Sequence, residues 1–275
     1  MFVDHIVIRV NDLQKATGDY RQLGFTVIPG GEHKGLGSHN ALIGLADDCY
    51  LELIAFPQAA APQSRAEKYE AMLAAGESRL KSRWLSWSVA AEGLVDFAIS
   101  AEAADGLFAK QKLARLNIDG PLEMGRKRPD GKELAWKMGF PETLDLPFLI
   151  ADITPREWRV PQSTSHKNGV IGLSAIDIVV HNLEKSIFHY QQLLEISSNQ
   201  IEKRMSPDVN KALFDCGTVK LSLVEPVENQ SLVKQLQERG ESPLLIELRL
   251  AKNYDVPQCQ TGQTHGTAIT FAKFG

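Results

Sequence analysis

Shifting the chain against itself by 170 residues lays Ile6, Ile8, Val10, Leu13, Lys15, Tyr20, Gln22 and Leu23 on identical residues at 176, 178, 180, 183, 185, 190, 192 and 193. Eight identities in nineteen gapless positions mark an internal repeat, and a repeat means one supersecondary unit built more than once. The same offset carries Leu51 and Leu53 onto Leu221 and Leu223, and Asn40 onto Asn210.

The repeated unit has a readable element order. Ile6, Ile8 and Val10 alternate with His5, Val7 and Arg9, which predicts a strand with one packing face and one cavity-lining face. Asn11-Asp12 offers an N-cap, Leu13–Leu23 reads as a helix, and Gly24 ends it. Three further strands, near Phe25–Ile28, Ala41–Leu45 and Cys49–Phe56, complete a βαβββ unit. Such a unit leaves one face open and needs a partner.

A connector with a helix near Gln63–Ala75 leads to a second, weaker cycle. Its expected elements are a strand at Trp84–Ala90, a helix near Ala101–Leu116, and strands around Leu122–Arg126, Leu134–Met138 and Phe148–Asp152. Pro129-Asp130-Gly131 supplies turn chemistry between two of these strands. Residues 155–170 read as a linker. The third cycle is the repeat itself. The fourth, with a helix at Ser231–Arg239 and strands at Leu244–Leu250 and His265–Phe271, reads as truncated. The expectation is an α+β fold of βαβββ modules. Residues 1–160 form a domain of two modules, and residues 168–275 a second, degenerate domain.

His5 and Glu52 sit in otherwise apolar strand patterns, where a polar group costs free energy unless it is paired, hydrogen-bonded or bound to something. At the repeat offset they become Ala175 and Ser222 while the apolar framework stays. Residues serving only the fold would have persisted with it, so His5 and Glu52 are assigned to a site. A structural histidine bonded to a backbone carbonyl is the competing reading for His5.

A formal net charge of −4 argues against a nucleic-acid partner. Cys49, Cys216 and Cys259 are too few and too irregularly spaced for a disulfide framework or a cysteine-rich zinc site, which fits a reducing cytoplasm. No apolar run reaches the length of a membrane span and no leader pattern opens the chain, so no membrane partner is expected. Hydrolase-elbow, phosphate-loop and dinucleotide motifs find no match.

The DHIVIRVNDL opening, the cycle ending in YLELI and its repetition resemble the vicinal oxygen chelate superfamily. More narrowly, GGEHKGLGSHNALIGL before YLELIAF, then GRKRPDGKELAW, LPFLIAD and HKNG, is similar to bacterial glyoxalase-like domain proteins. The resemblance implies paired modules curled into half-barrels, with a small-molecule ligand on the concave face of the N-terminal domain. It also implies either one divalent ion (zinc, nickel, manganese or iron) held by His5 and Glu52, or no cofactor. Aligning Leu94 with Leu13 puts Ser86 at the second module's histidine position, and Ile150 lies near its carboxylate position, so only half of a ligand set is expected.

The expected activity is of the lyase or isomerase type, by proton abstraction next to a carbonyl. Glu52 is base or ligand and His5 its partner; His33 and Asn40 orient the substrate. Arg126 and Arg128 offer anchors for an anion, and Trp136 an apolar wall. The alternative is a metal-free protein that sequesters a small molecule, as bleomycin-resistance proteins do. The degenerate half is left to serve as a homodimer surface or a lid.

Overall fold

In the computed structural model, residues 1–33, 37–57, 64–102, 104–128, 130–160, 165–257 and 261–273 are described. Cys259 lies outside them, as does the start of the helix expected from Gln63. The first module comprises β1 (Phe2–Arg9), α1 (Leu13–Gln22), β2 (Ile28–His33), β3 (Ser38–Gly44) and β4 (Tyr50–Ala55). Helices α2 (Arg65–Ala74) and α3 (Arg79–Val89) follow. The second module holds β5 (Gly93–Ser100), α4 (Ala104–Leu107), α5 (Lys110–Arg115), β6 (Ile118–Lys127), β7 (Glu133–Pro141) and β8 (Phe148–Asp152). These eight strands form one curled sheet in the order β2-β3-β4-β1-β5-β8-β7-β6.

After α6 (Arg156–Arg159), the chain builds β9 (Val170–Val179), α7 (Leu183–Leu194), β10 (Glu202–Met205), β11 (Val209–Cys216) and β12 (Val219–Pro226). It continues through α8 (Gln230–Arg239) to β13 (Ser242–Leu250) and β14 (Ile269–Lys273). The second sheet runs β10-β11-β12-β9-β13-β14. The architecture is the α+β fold of βαβββ modules expected from the repeat.

The 170-residue offset holds in the backbone pairing. In the parallel β1–β4 pair, Ile6 faces Leu51 and Val7 faces Glu52; in β9–β12, Ile176 faces Leu221 and Asp177 faces Ser222. The helix caps repeat as well. The Asp12 side chain accepts from the Gln14 and Lys15 amides, and Asn182 accepts from Lys185.

Alternation along β1 divides two environments. Ile6, Ile8 and Val10 join a core that also contains Tyr20, Leu51, Ile176, Tyr190 and Leu221, so both sheets and both long repeat helices share it. Val7 faces the other way, into a cluster with Val95, Ala98, Trp87 and Phe148. His5 shares that second face.

Several expected elements differ. The strand expected at Trp84–Ala90 is the second half of α3, capped by the Ser78 side chain on the Lys81 amide. Leu80, Trp84 and Trp87 recur at i, i+4 and i+7, a helical face that packs onto the Val7 side of the first sheet. Residues 85–89 also alternate apolar and polar over a short window, so both periods fit until the cap is considered. The second module's first strand is therefore β5. Its helix divides into α4 and α5, and β2 begins at Ile28 and continues through Pro29-Gly30-Gly31, with a register shift absorbing the irregularity. Part of the expected linker is helical, as α6.

Candidate functional site

The parallel register that sets Val7 opposite Glu52 brings His5 and Glu52 together on one face, at 3% and 7% exposure. His5 Nδ1 lies 2.6 Å from Asp4 Oδ1. A carboxylate only accepts, so Nδ1 carries the proton and Nε2 faces Glu52 Oε2 at 3.5 Å. Tyr50 stacks on the imidazole at 4.6 Å and 14°, and Phe148 meets it edge-on at 5.4 Å.

Asp4 is wholly buried. Arg159 donates to its two oxygens at 2.9 Å from Nη1 and Nη2, and Arg156 reaches it too. Burial alone would raise the Asp4 carboxyl, but Arg159 and the hydrogen bonds from His5 and Arg159 hold it well below the usual range. Asp4 thus stays anionic and fixes the His5 ring. The Tyr50 hydroxyl accepts from Arg159 at 2.9 Å, and burial keeps that phenol protonated.

The other Glu52 oxygen is equally constrained. Asn40 Nδ2 donates to Oε1 at 2.5 Å, and His33 Nε2 lies 3.7 Å from the same atom. His33 is held by Ser38 Oγ at 2.9 Å and stands edge-on to Trp84 at 5.0 Å. Burial lowers its pKa; Glu52 opposes the shift, while Arg126 and His5 add to it. Asn40 Oδ1 accepts from the Gly31 amide at 2.9 Å and faces Arg126 Nη1 at 3.4 Å. A Cβ at Gly30 would come within 1.9 Å of Asn40 Oδ1, so the glycine pair that β2 carries is what lets Asn40 sit between Glu52 and Arg126.

These groups line a cavity whose remaining wall is apolar: Trp84, Trp87, Trp136, Met124, Met138, Phe148 and Ile150. Of the residues assigned from sequence, His5, His33, Asn40, Glu52, Arg126 and Trp136 all reach it. Arg128 does not: it donates to the Trp158 carbonyl at 2.9 Å, pairs with Asp130 at 2.9 Å, and lines a neighbouring cleft. His39 alternates with Asn40 along β3 and points to the opposite face. Sequence reasoning missed Asp4, Tyr50, Trp84, Phe148 and Arg159. Asp4 and Tyr50 are direct neighbours of His5 and Leu51 in the quoted motifs, but Arg159 lies in a stretch that reads as linker.

The second module corrects two expectations. Ser86 is in a helix, with its hydroxyl on the Arg83 carbonyl at 2.6 Å, and holds no strand position. In the antiparallel β1–β5 pair, Ile6 faces Phe97 and Val7 faces Asp96. A two-fold through the Ile6–Phe97 pair carries His5 onto Asp96. It also carries the Val7–Glu52 pair onto Ala98–Phe148, so Phe148, and not Ile150, stands where Glu52 does. Asp96 is consumed: Arg83 holds it at 2.6 and 3.0 Å, Trp87 donates at 3.2 Å, and Arg65 lies 3.7 Å away.

The ligand set expected from the resemblance is thus half replaced, by a phenyl ring and by a carboxylate tied to arginines. Among the described residues, no group of three or more His, Cys, Asp or Glu side chains is placed to hold a metal ion. A buried guanidinium, Arg126, stands in the same cavity. As they are placed, these side chains do not form a divalent-cation site.

No helix among the described residues is long and apolar enough to cross a membrane. A search of curated proteins finds no match. Among solved structures, a hypothetical protein from Staphylococcus aureus is similar over 99% of this chain and 99% of its own, with a TM-score of 0.69 at 11% identity. A mutant 4-hydroxymandelate synthase from Streptomyces coelicolor matches 91% of this chain and 71% of its own, with a TM-score of 0.51 at 12% identity. At such identities these likenesses speak for the fold alone. The family model of the glyoxalase-like domain matches residues 3–194, and the chain belongs to that family.

Proposed function

We propose that this protein is a small-molecule enzyme that moves a proton on carbon next to a carbonyl, working from its own side chains. The observation that carries the reading is Glu52. Its Oε1 is pinned by Asn40, its Oε2 faces His5 Nε2 at 3.5 Å, and it sits in an aromatic-walled cavity. A carboxylate held in that way has one oxygen to spare for a substrate C–H.

In the step proposed, the C–H bond breaks, its proton passes to Glu52 and the electron pair moves into the carbonyl as an enolate. His33 Nε2 and the Asn40 amide lie beside Glu52 Oε1 and orient the oxygen on which charge develops. Return of a proton to the opposite face of the same carbon, or to the neighbouring carbon, completes an isomerisation; expulsion of a β-substituent with the enolate's electron pair completes a lyase step. His5, oriented by Asp4, presents Nε2 to relay the proton.

Proton NMR in D2O tests this on a panel of small 2-oxo acids and hydroxyaldehydes. Enzyme-dependent loss of the C–H signal next to the carbonyl is expected, slowed about 10²–10⁴-fold by Glu52→Gln. No exchange above the buffer rate on any compound, with cavity tryptophan fluorescence still reporting binding, would overturn the enzyme reading and leave the sequestering one.

A further inference from the structure

Two unlike charges of the cavity do not touch: Glu52 and Arg126 both line it, and the Asn40 amide stands between them. Arg126 is 6% exposed, and its guanidinium lines both the aromatic cavity and the outer cleft that opens past Pro29, Trp158 and Val160. The other arginines at this site meet carboxylates: Arg159 meets Asp4 and Asp152, and Arg83 meets Asp96. Arg126 makes one long contact, 3.4 Å to the Asn40 amide oxygen, and no ion pair with a carboxylate among the described residues. A guanidinium with no carboxylate in contact has N–H groups to spare for a ligand's anion.

The neighbouring residues keep the guanidinium where an anion entering from the cleft would meet it. Gly30 and Gly31 bring β2 close enough that a Cβ at either would press on Arg126 Nη1, at 3.0 and 3.3 Å. Asn40 occupies one N–H direction of the fork and links it to Glu52. On the inner side, Trp84, Trp87, Trp136 and Phe148 offer flat apolar surface. From Arg126 inward, the groups therefore run cation, amide, carboxylate base, aromatic wall.

We infer that the ligand of this cavity is a small carboxylate with an apolar, aromatic-sized body, its carboxylate on Arg126 and its body among the tryptophans. This rests on the reading of the cavity as a small-molecule site, and it names the substrate class of the proposed reaction. A guanidinium fork takes a carboxylate through two N–H bonds, which also fixes which carbon lies toward Glu52.

Tryptophan fluorescence titration with phenylacetate and its neutral isostere phenylacetamide tests the assignment on the wild-type protein. Phenylacetate should bind at least about 10-fold more tightly, the scale of one charge-assisted contact. Arg126→Gln, shown to be folded by circular dichroism, should abolish that preference while phenylacetamide still binds. Equal affinity for the two probes in the wild type, an undiminished preference in Arg126→Gln, or binding of neither probe would each overturn the inference. The outcome is separable from the proton-exchange test: anion preference without exchange removes the catalytic reading and leaves this one, and exchange without anion preference does the reverse.

Discussion

The two sheets are built from the same repeat, yet among the described residues it is the first that closes over a cavity lined by His5, Glu52 and tryptophans. At the repeat offset, β1 and β9 pair with β4 and β12 in identical register, and Asn40 corresponds to Asn210. In the N-terminal sheet that asparagine bonds a carboxylate at the strand centre, Glu52; in the C-terminal sheet Asn210 donates at 3.1 Å to Glu225, three residues further along, and Ser222 holds the central position. The covering helices differ as well. α3 lays Trp84 and Trp87 across the first sheet, whereas α8 is followed by a sheet whose Ala175, Asp177 and Glu247 stay half-exposed. One scaffold therefore supports a sealed polar cluster only where a hydrophobic cover excludes water and every buried charge has a partner or a ligand.

The largest effect should come from turning the first site into the second. His5→Ala with Glu52→Ser reproduces the residues found at 175 and 222. Proton exchange on any substrate found should fall about 10²–10⁴-fold or more, with the circular dichroism spectrum unchanged. The reverse exchange, Ala175→His with Ser222→Glu, should confer no activity, because that sheet lacks the aromatic cover. Activity gained there would show that the two carried residues suffice and that the surroundings do not matter.

Ion pairs sharpen the contrast next. Arg159→Met strips the buried Asp4 of its bidentate partner, and urea unfolding should show a loss of about 3 kcal/mol, the low end for a broken buried pair because Arg156 stays on Asp4. The C-terminal Lys211–Asp177 pair at 3.1 Å is part-exposed, and Lys211→Ala should cost about 0–1 kcal/mol. Equal losses would mean that burial is not what separates the two sheets. Gly30→Ala should cost about 1–3 kcal/mol and weaken the site, since the new Cβ displaces Asn40 from Glu52. A crystal structure of that variant with Asn40 unmoved would break the argument.

Much of this was legible in the chain. The repeat gave the strand register through Leu51 and Leu221, and the contrast of His5 and Glu52 with Ala175 and Ser222 pointed to the site. Asn40 and Arg126 followed from the glycine-rich and basic segments. The second module reads differently from sequence because residues 85–89 satisfy a strand period and a helix period at once, and only the Ser78 cap and the more distant Leu80 decide it. That error moved the strand to the wrong residues and hid Asp96 and Phe148. Arg159 was invisible for a different reason: it reaches Asp4 across 155 residues of chain, and no local pattern encodes such a contact.

The smallest expected effect concerns His33, which has no histidine counterpart at position 203, where the repeat has Lys203. Burial depresses its folded-state pKa, whereas in the unfolded chain it titrates near about 6.5. Below that pH the unfolded chain binds a proton that the folded protein resists, so stability is lost as pH falls from about 6.5 toward the folded-state pKa. Asp4 adds its own loss at lower pH, below about 3.9 and through its still lower folded value. Urea midpoints from pH 7.5 to 4.5 for wild type and His33→Gln isolate the histidine, because Asp4 contributes equally to both. The wild-type curve should fall more steeply through this window than that of the variant. Parallel curves would mean that His33 binds its proton equally well in the folded and the unfolded chain, so that burial does not hold it neutral.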